Sequence, residues 1–140
     1  MTATANGKRI AQCNCGALTA TVSGDPVAVY CCSCVKCQRK SGSAFTYAAV
    51  FPSDAVAVAG ERKSWRHNGD SGRWIENFFC PTCGIAVGFL SEGMPGMTGI
   101  AVGCFADPDF APPRRLYWAS RRHRWLTFHN DLTMLDTQDG

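Results

Sequence analysis

Nine cysteines constrain this chain more than any other feature of its sequence. The odd total argues against a complete disulfide framework, and the N-terminus has no apolar segment of the kind that an exported chain needs. We therefore expect a cytoplasmic protein whose clustered thiols bind metal rather than cross-link. Seven of the nine fall into three short motifs, which are Cys13-Asn14-Cys15-Gly16, Cys32-Ser33-Cys34-Val35-Lys36-Cys37 and Cys80-Pro81-Thr82-Cys83-Gly84.

The third motif, with Cys80 and Cys83, is typical of a zinc knuckle. Two thiolates on one tetrahedral zinc ion have Zn–S distances of about 2.3 Å and lie roughly 3.8 Å apart, which a tight turn allows and an extended strand does not. Gly84 permits a positive φ just after the second ligand. The first motif, with Cys13 and Cys15, predicts a second turn of this kind. Together the two turns supply the four thiolates of a closed structural zinc site, which would join an N-terminal hairpin to a central strand.

The middle motif supplies three thiolates, from Cys32, Cys34 and Cys37, without an evident fourth partner. Three protein ligands and an open position are typical of a catalytic or substrate-binding zinc ion. Cys31 and Cys32 are neighbours in an extended segment and point to opposite faces, so we expect Cys31 to pack in the core while Cys32 faces the metal. The alternative is a second structural site, completed by one of the remaining candidate ligands, Cys31, Cys104, His67, His123 or His129.

A short helix is predicted over residues 33–40, with Ser33 as its N-cap. Cys34 and Cys37 would then lie on one helix face. Nearby positive charge favours the thiolate form and could attract the carboxylates of a substrate, although a solvated basic face has the same pattern. The three basic residues that could act in this way are Lys36, Arg39 and Lys40.

The remainder of the chain predicts a mainly β fold with little helix. Apolar or alternating segments are separated by turns rich in Gly, Pro, Asn and Asp, which favours short strands. The predicted strands cover residues 17–22, 27–31, 44–51 and 73–80.

Composition indicates one globular domain. The chain has 140 residues, of which 46% are hydrophobic and 18% charged, and this balance excludes a disordered chain. No apolar run approaches the length of a membrane-spanning helix. We expect a single domain over residues 10–135, with flexible tails at 1–9 and 136–140.

Residues 114–124 are the one segment where a nucleic-acid interface could be argued, because arginines alternate with aromatic residues there. The net charge of +3 is too small to favour such a partner, and aspartates flank the segment. We favour a late strand and loop whose aromatic side chains belong to the core.

The order of the three motifs resembles the glutathione-dependent formaldehyde-activating enzyme family, which includes the centromere protein V domain. The resemblance covers about residues 10–130 of the printed sequence. It rests on the seven ordered cysteines, with support from Ser41-Gly42-Ser43-Ala44-Phe45, Asp70-Ser71-Gly72, Phe79, Trp118 and Trp125. Gln38 departs from the pattern, since many members carry Arg there, and Cys31 and Cys104 are additions to it.

The resemblance implies an Mss4-like β-tent fold of short antiparallel sheets with two zinc ions. One zinc is structural, held by the cysteines of the first and third motifs, and the other is catalytic and mobile, held by the middle motif. In the founding members glutathione and formaldehyde combine to S-hydroxymethylglutathione, a carbon–sulfur lyase reaction run in reverse. The implied function is a zinc-dependent carbon–sulfur lyase-like enzyme acting on a thiol such as glutathione and a small aldehyde. The second zinc would hold the sulfur as a thiolate or polarise the aldehyde oxygen.

A function of another class also fits the sequence. A zinc-stabilised β scaffold could present a surface to a protein partner without catalysing a reaction. This hypothesis predicts that the middle motif forms a closed site with no groove beside it.

Overall fold

The computed structural model describes residues 7–129 and 131–138, and within them the mainly β prediction is confirmed. The one α-helix of this part of the chain, α1, covers Val35–Ser41, and short 3-10 turns cover Ser53–Ala55, Val102–Phe105 and Ala119–Arg121. The strands are β1 (Lys8–Gln12), β2 (Thr19–Ser23), β3 (Ala28–Cys32), β4 (Thr46–Pro52), β5 (Val56–Ala59), β6 (Lys63–Asn68), β7 (Trp74–Phe79), β8 (Ala86–Ser91), β9 (Met97–Ala101), β10 (Arg115–Tyr117) and β11 (Thr133–Met134).

The strands form two sheets. The smaller has the order β1-β2-β5, and the larger has the order β11-β10-β3-β4-β9-β8-β7-β6. Most neighbours are antiparallel, as predicted, but β10 runs parallel to both β3 and β11. Parallel neighbours need a long crossover connection, and the chain between β3 and β10 contains most of the larger sheet.

The four predicted strands correspond to β2, β3, β4 and β7, with ends that differ by at most two residues. Part of the expected N-terminal tail belongs to a strand, because β1 begins at Lys8 and pairs with β2 as far as Ser23. Residues 1–6, 130, 139 and 140, which include most of that tail and the end of the expected C-terminal tail, lie outside the described residues.

The predicted helix is present, but its N-cap is Cys34 rather than Ser33. Cys34 has extended dihedral angles (φ −60°, ψ 158°), and its Sγ accepts a hydrogen bond from the Cys37 backbone N–H at 3.3 Å. Ser33 is fully buried, and its Oγ donates to the Ala44 carbonyl instead. The helix ends at Gly42, whose φ of 62° closes the last turn.

The main hydrophobic core contains residues from both sheets, including Val22, Phe51 and Ile100. A second cluster lies around Leu116 and Ala119 and contains Cys31, as predicted for a cysteine that points away from the metal. Cys104 packs against the main core. Among the described residues, no helix has the length and apolar character that crossing a membrane requires.

Candidate metal centres and the cavity between the helix and the sheet

The structure brings Cys13, Cys15, Cys80 and Cys83 together, with all four Sγ atoms within 4.8 Å of one another. The Sγ atom of Cys15 lies 3.6 Å from that of Cys13 and 3.6 Å from that of Cys80. Four thiolates around one zinc ion lie roughly 3.8 Å apart, so this group has the composition and spacing of a closed zinc site. It connects the β1–β2 turn of the smaller sheet with the β7–β8 turn of the larger one.

The two turns that carry these cysteines have the same backbone design. In each, the N–H of the first cysteine donates to the carbonyl five residues later, from Cys13 to Leu18 and from Cys80 to Ile85. The glycine that follows the second cysteine has a φ of +80° in both turns and donates back to the carbonyl of the first cysteine. The positive φ predicted for Gly84 is therefore present, and Gly16 is its counterpart.

Hydrogen bonds within this group distribute the negative charge unevenly over the free thiols. The backbone N–H groups of Cys15 and Ile85 lower the pKa of Cys83 to about 6. The Ala17 backbone lowers the pKa of Cys15, but the thiols of Cys13 and Cys80 outweigh it and raise that pKa to about 11. Such competition among crowded thiols ends when a cation binds all of them as thiolates.

A second group consists of Cys32, Cys34 and Cys37, whose Sγ atoms also lie within 4.8 Å of one another. Cys32 ends β3, Cys34 caps α1, and Cys37 lies in the first turn of that helix. A strand that ends directly before a helix thus brings together three thiols that are close in the sequence. We call this group the triad.

The part of the chain that the structure describes provides no fourth metal-binding side chain for the triad. Cys31 points into the core, and His123 bonds through Nε2 to Gln38 Oε1 at 2.9 Å. His67 lines the same cavity as the triad, but its ring nitrogens do not belong to the triad's cluster of possible ligand atoms. Three thiols with an open side fit a zinc ion that keeps a coordination position for another ligand.

The free triad holds its negative charge on one sulfur. Hydrogen bonds from the Cys32 and Cys34 thiols, with help from the Lys40 ammonium, lower the pKa of Cys37 to about 3. Hydrogen bonds from the Cys32 thiol to Cys34 and Cys37, together with burial, raise the pKa of Cys32.

A cavity of about 270 Å³ lies beside the triad. Tyr30 and Tyr117 line the cavity together with the triad, and the turn between β6 and β7 contributes Gly69, Asp70 and Ser71. Arg121 of the late segment forms an ion pair with Asp70 at 2.7 Å, at the edge of the cavity.

Another part of the wall comes from β6, β7 and β8 of the larger sheet, and of its residues only His67 was considered as a site residue from the sequence. Asn77 on β7 pairs in register with Phe89 on β8, and His67 on β6 pairs with Ile75, so these side chains share one sheet face. All four line the cavity. The sequence could have indicated Asn77 as a site residue, because it is a polar residue at the otherwise apolar end of β7. In the structure Asn77 is 6% exposed.

Two of the three basic residues predicted near the triad line the cavity. Lys36 donates from Nζ to the Asn68 carbonyl, and Lys40 donates from Nζ to Asn77 Oδ1. Arg39 does not line it. Lys36 and Lys40 are four positions apart on α1 and therefore share one helix face.

The arginine-rich segment contains a late strand, β10, as we favoured. The expectation that its aromatic side chains belong to the core was wrong, because Tyr117 and Trp118 line the cavity and Trp125 is 70% exposed. Leu116 is fully buried, and Trp118, at a positive φ of 57°, lines the cavity. The guanidinium group of Arg121 lies 4.6 Å from the Trp118 ring centroid, and Arg122 donates to the Ala119 carbonyl.

Comparison with known proteins gives two findings. A crystal structure of a Rhodobacter sphaeroides protein has a similar fold, with a TM-score of 0.54 and 22% sequence identity, over 75% of this chain and 92% of that one. The model of the family described as "Glutathione-dependent formaldehyde-activating enzyme" matches residues 8–121, which is most of the chain. The chain therefore belongs to the glutathione-dependent formaldehyde-activating enzyme family.

Proposed function

We propose that this protein is a zinc-dependent enzyme of the carbon–sulfur lyase type, which joins a thiol such as glutathione to formaldehyde or another small aldehyde. The observation that carries the proposal is the three-thiol cluster beside a cavity lined by lysine and arginine side chains. Membership of the family supports the same reaction class.

Each of the two cysteine clusters would bind one zinc ion, and the two ions would have different roles. The four-cysteine cluster would hold a structural zinc ion, and Cys32, Cys34 and Cys37 would hold a second one. A zinc ion at the triad supplies Lewis acidity, which lowers the pKa of a thiol or polarises a carbonyl group.

The side chains of the cavity would bind and orient the thiol substrate. Lys36 and Arg73 lie in the cavity wall, and their charges suit the carboxylates of a peptidic thiol. Tyr30, Tyr117 and Phe89 give part of the wall an aromatic character that suits the apolar portion of a bound substrate.

The reaction needs no oxidant or reductant. The substrate sulfur forms one bond to the aldehyde carbon, and the π electrons of the carbonyl pass to its oxygen. That oxygen becomes a hydroxyl group by taking the proton that the thiol has released. Holding the two reactants together in the cavity removes much of the entropic barrier to this addition.

The alternative of a non-catalytic binding module is less well supported. It predicts a triad closed by a fourth ligand and no groove beside it, whereas the described residues offer three ligands and a cavity.

Exchange spectroscopy tests the proposal, because the uncatalysed addition is itself reversible. Zinc-loaded protein is added to ¹³C-formaldehyde and glutathione, and NMR measures the rate of exchange between free aldehyde and its thiol adduct. We expect acceleration above the background rate, loss of that acceleration in Cys34→Ser, and its retention in Cys104→Ser. Absence of acceleration by the wild-type protein would contradict the enzymatic function. Loss of the fold and of both zinc ions in Cys34→Ser would indicate that the triad is structural.

A further inference from the structure

Lys40 of α1 lines the cavity, and its ammonium group makes specific contacts with the facing sheet. Lys40 is an exposed residue, yet its Nζ atom donates to Asn77 Oδ1 at 3.2 Å and lies 4.7 Å from the centroid of the Phe89 ring. Asn77 and Phe89 are 6% and 7% exposed, so the ammonium group is turned inward, onto the sheet face that walls the cavity.

A series of hydrogen bonds fixes the orientation of the Asn77 side-chain amide, which accepts a hydrogen bond from Lys40. Because Asn77 Oδ1 accepts from the ammonium group, its Nδ2 faces His67 Nε2, at 3.4 Å, and donates to it. His67 in turn donates from Nδ1 to the Asn68 carbonyl at 3.2 Å. Each donor in this series of hydrogen bonds has an acceptor, so only one orientation of the Asn77 amide satisfies all of them.

The aromatic contact of Lys40 also depends on a specific packing arrangement. Phe89 pairs in register with Gly99 of β9, and a Cβ atom on Gly99 would lie 2.2 Å from Phe89 Cζ. The ring therefore lies directly over the glycine and is held in place under the ammonium group. A cation above an aromatic face is attracted by the negative charge of that face.

The charge of the triad indicates why an ammonium group is held here. Three thiolates exceed the charge of one divalent metal ion by one negative charge, and a substrate thiolate at the open position would add another. Lys40 follows Cys37 by three positions on α1, so the two side chains lie on one helix face beside the same cavity.

We propose that Lys40 is the fixed counter-ion of the metal–thiolate centre, and that Asn77 and Phe89 are its positioning residues. This assigns Lys40 a role different from carboxylate binding, and it rests on the proposed function only in requiring a metal ion at the triad. By stabilising the additional negative charge, Lys40 would favour binding of any substrate thiolate, whether or not the thiol carries a carboxylate.

Two small thiols separate these roles. The full chain is loaded with Co²⁺ in place of zinc, and the thiolate-to-cobalt charge-transfer absorbance is titrated with 2-mercaptoethanol, which is neutral, and with 3-mercaptopropionate, which carries a carboxylate. We expect Lys40→Met to weaken both thiols by the same factor, about tenfold. A loss confined to 3-mercaptopropionate, or no loss for either thiol, would overturn the counter-ion role.

Further variants test the positioning residues and the effect of net charge. Lys40→Arg should keep most of the thiol affinity, and Lys63→Met, which removes a lysine from β6, should keep all of it.

Phe89→Leu should weaken the binding of both thiols, and Phe89→Tyr should restore the wild-type affinity. Equal losses in Lys63→Met and Lys40→Met would overturn the proposal. If Lys40→Met fails to fold, the comparison of Phe89→Leu with Phe89→Tyr decides, and equal affinities of that pair would overturn the positioning role.

The cobalt content separates failure of this inference from failure of the proposed function. Cobalt at the four-cysteine site reports that a variant is folded. Wild-type protein that binds cobalt only at that site would overturn both proposals. Two bound cobalt ions with unchanged thiol affinities in Lys40→Met would overturn the counter-ion role alone.

Discussion

The Sγ atom of Cys15 lies 3.6 Å from the Sγ atom of Cys80, although 65 positions separate the two residues in the chain. Cys15 belongs to the turn between β1 and β2, and Cys80 follows β7, so the contact joins the two sheets. A metal ion at this point would therefore link distant parts of the chain, and its binding energy would be folding energy.

Replacement of a buried ligand in this group should unfold the protein. Structural zinc contributes about 10–16 kcal/mol in small zinc domains, which is as large as the total stability of most domains. We therefore expect Cys80→Ser to abolish cooperative thermal unfolding, measured by circular dichroism, and to remove the tightly bound zinc. Cys104→Ser is the control and should unfold cooperatively near the wild-type temperature. A cooperative transition of Cys80→Ser close to that of wild type would contradict the structural role.

Burial of Cys31 predicts a loss of stability at alkaline pH. Burial raises the pKa of this thiol to about 12, from an ordinary value of 9.0. Above pH 9 the unfolded chain releases this proton while the folded protein retains it, so the free energy of unfolding falls as pH rises. The contribution between pH 9 and pH 11 is about 2 kcal/mol.

The measurement compares urea unfolding of wild type and Cys31→Ala at several pH values. The alanine variant has a lower stability throughout, because it leaves a small cavity in the core. Its free energy of unfolding should nevertheless fall less steeply between pH 9 and pH 11. Parallel curves for the two proteins would show that Cys31 does not contribute to the alkaline loss.

Gly99 should tolerate no side chain, because the Phe89 ring occupies the space of its Cβ atom. Gly99→Ala would have to displace that ring, and overpacking of this kind costs about 1–3 kcal/mol. Gly103→Ala is a matched control, since its Cβ atom would meet nothing within 4 Å. Chemical denaturation measures both. Equal stabilities of the two variants would contradict the packing of Phe89 over Gly99.

The ion pair between Arg121 and Asp70 should contribute little to stability. The two side chains are 42% and 19% exposed, and pairs of this kind are worth about 0–1 kcal/mol and are screened by salt. A double-mutant cycle with Arg121→Ala and Asp70→Ala should give a coupling energy in that range, decreasing at high salt. A coupling above about 2 kcal/mol that persists in high salt would indicate a buried, structural pair.

Local patterns in the sequence predicted much of this molecule. Two turn motifs indicated the four-cysteine cluster, and the spacing of the middle motif indicated the triad. Alternation along β3 separated Cys31 in the core from Cys32 beside the cavity. Local spacing is informative in these cases because the residues involved are close in the chain.

The features that were not predicted depend on contacts between distant segments. The pairing of Asn77 with Phe89 requires the register of two strands, and the parallel position of β10 beside β3 requires the whole topology. The helix cap was assigned to Ser33 because serine is the commoner cap, whereas the buried contact of Ser33 with Ala44 leaves that position to Cys34.

The decisive measurement is the zinc content per chain before and after mild chelation, with and without glutathione. The two cysteine clusters differ in closure, so their metal ions should differ in lability. We expect two zinc ions per chain at first, one after chelation without glutathione, and two again when glutathione is present to fill the open position at the triad. A single tight zinc ion with no effect of glutathione, or two ions that leave together, would contradict the division into a structural site and an open one.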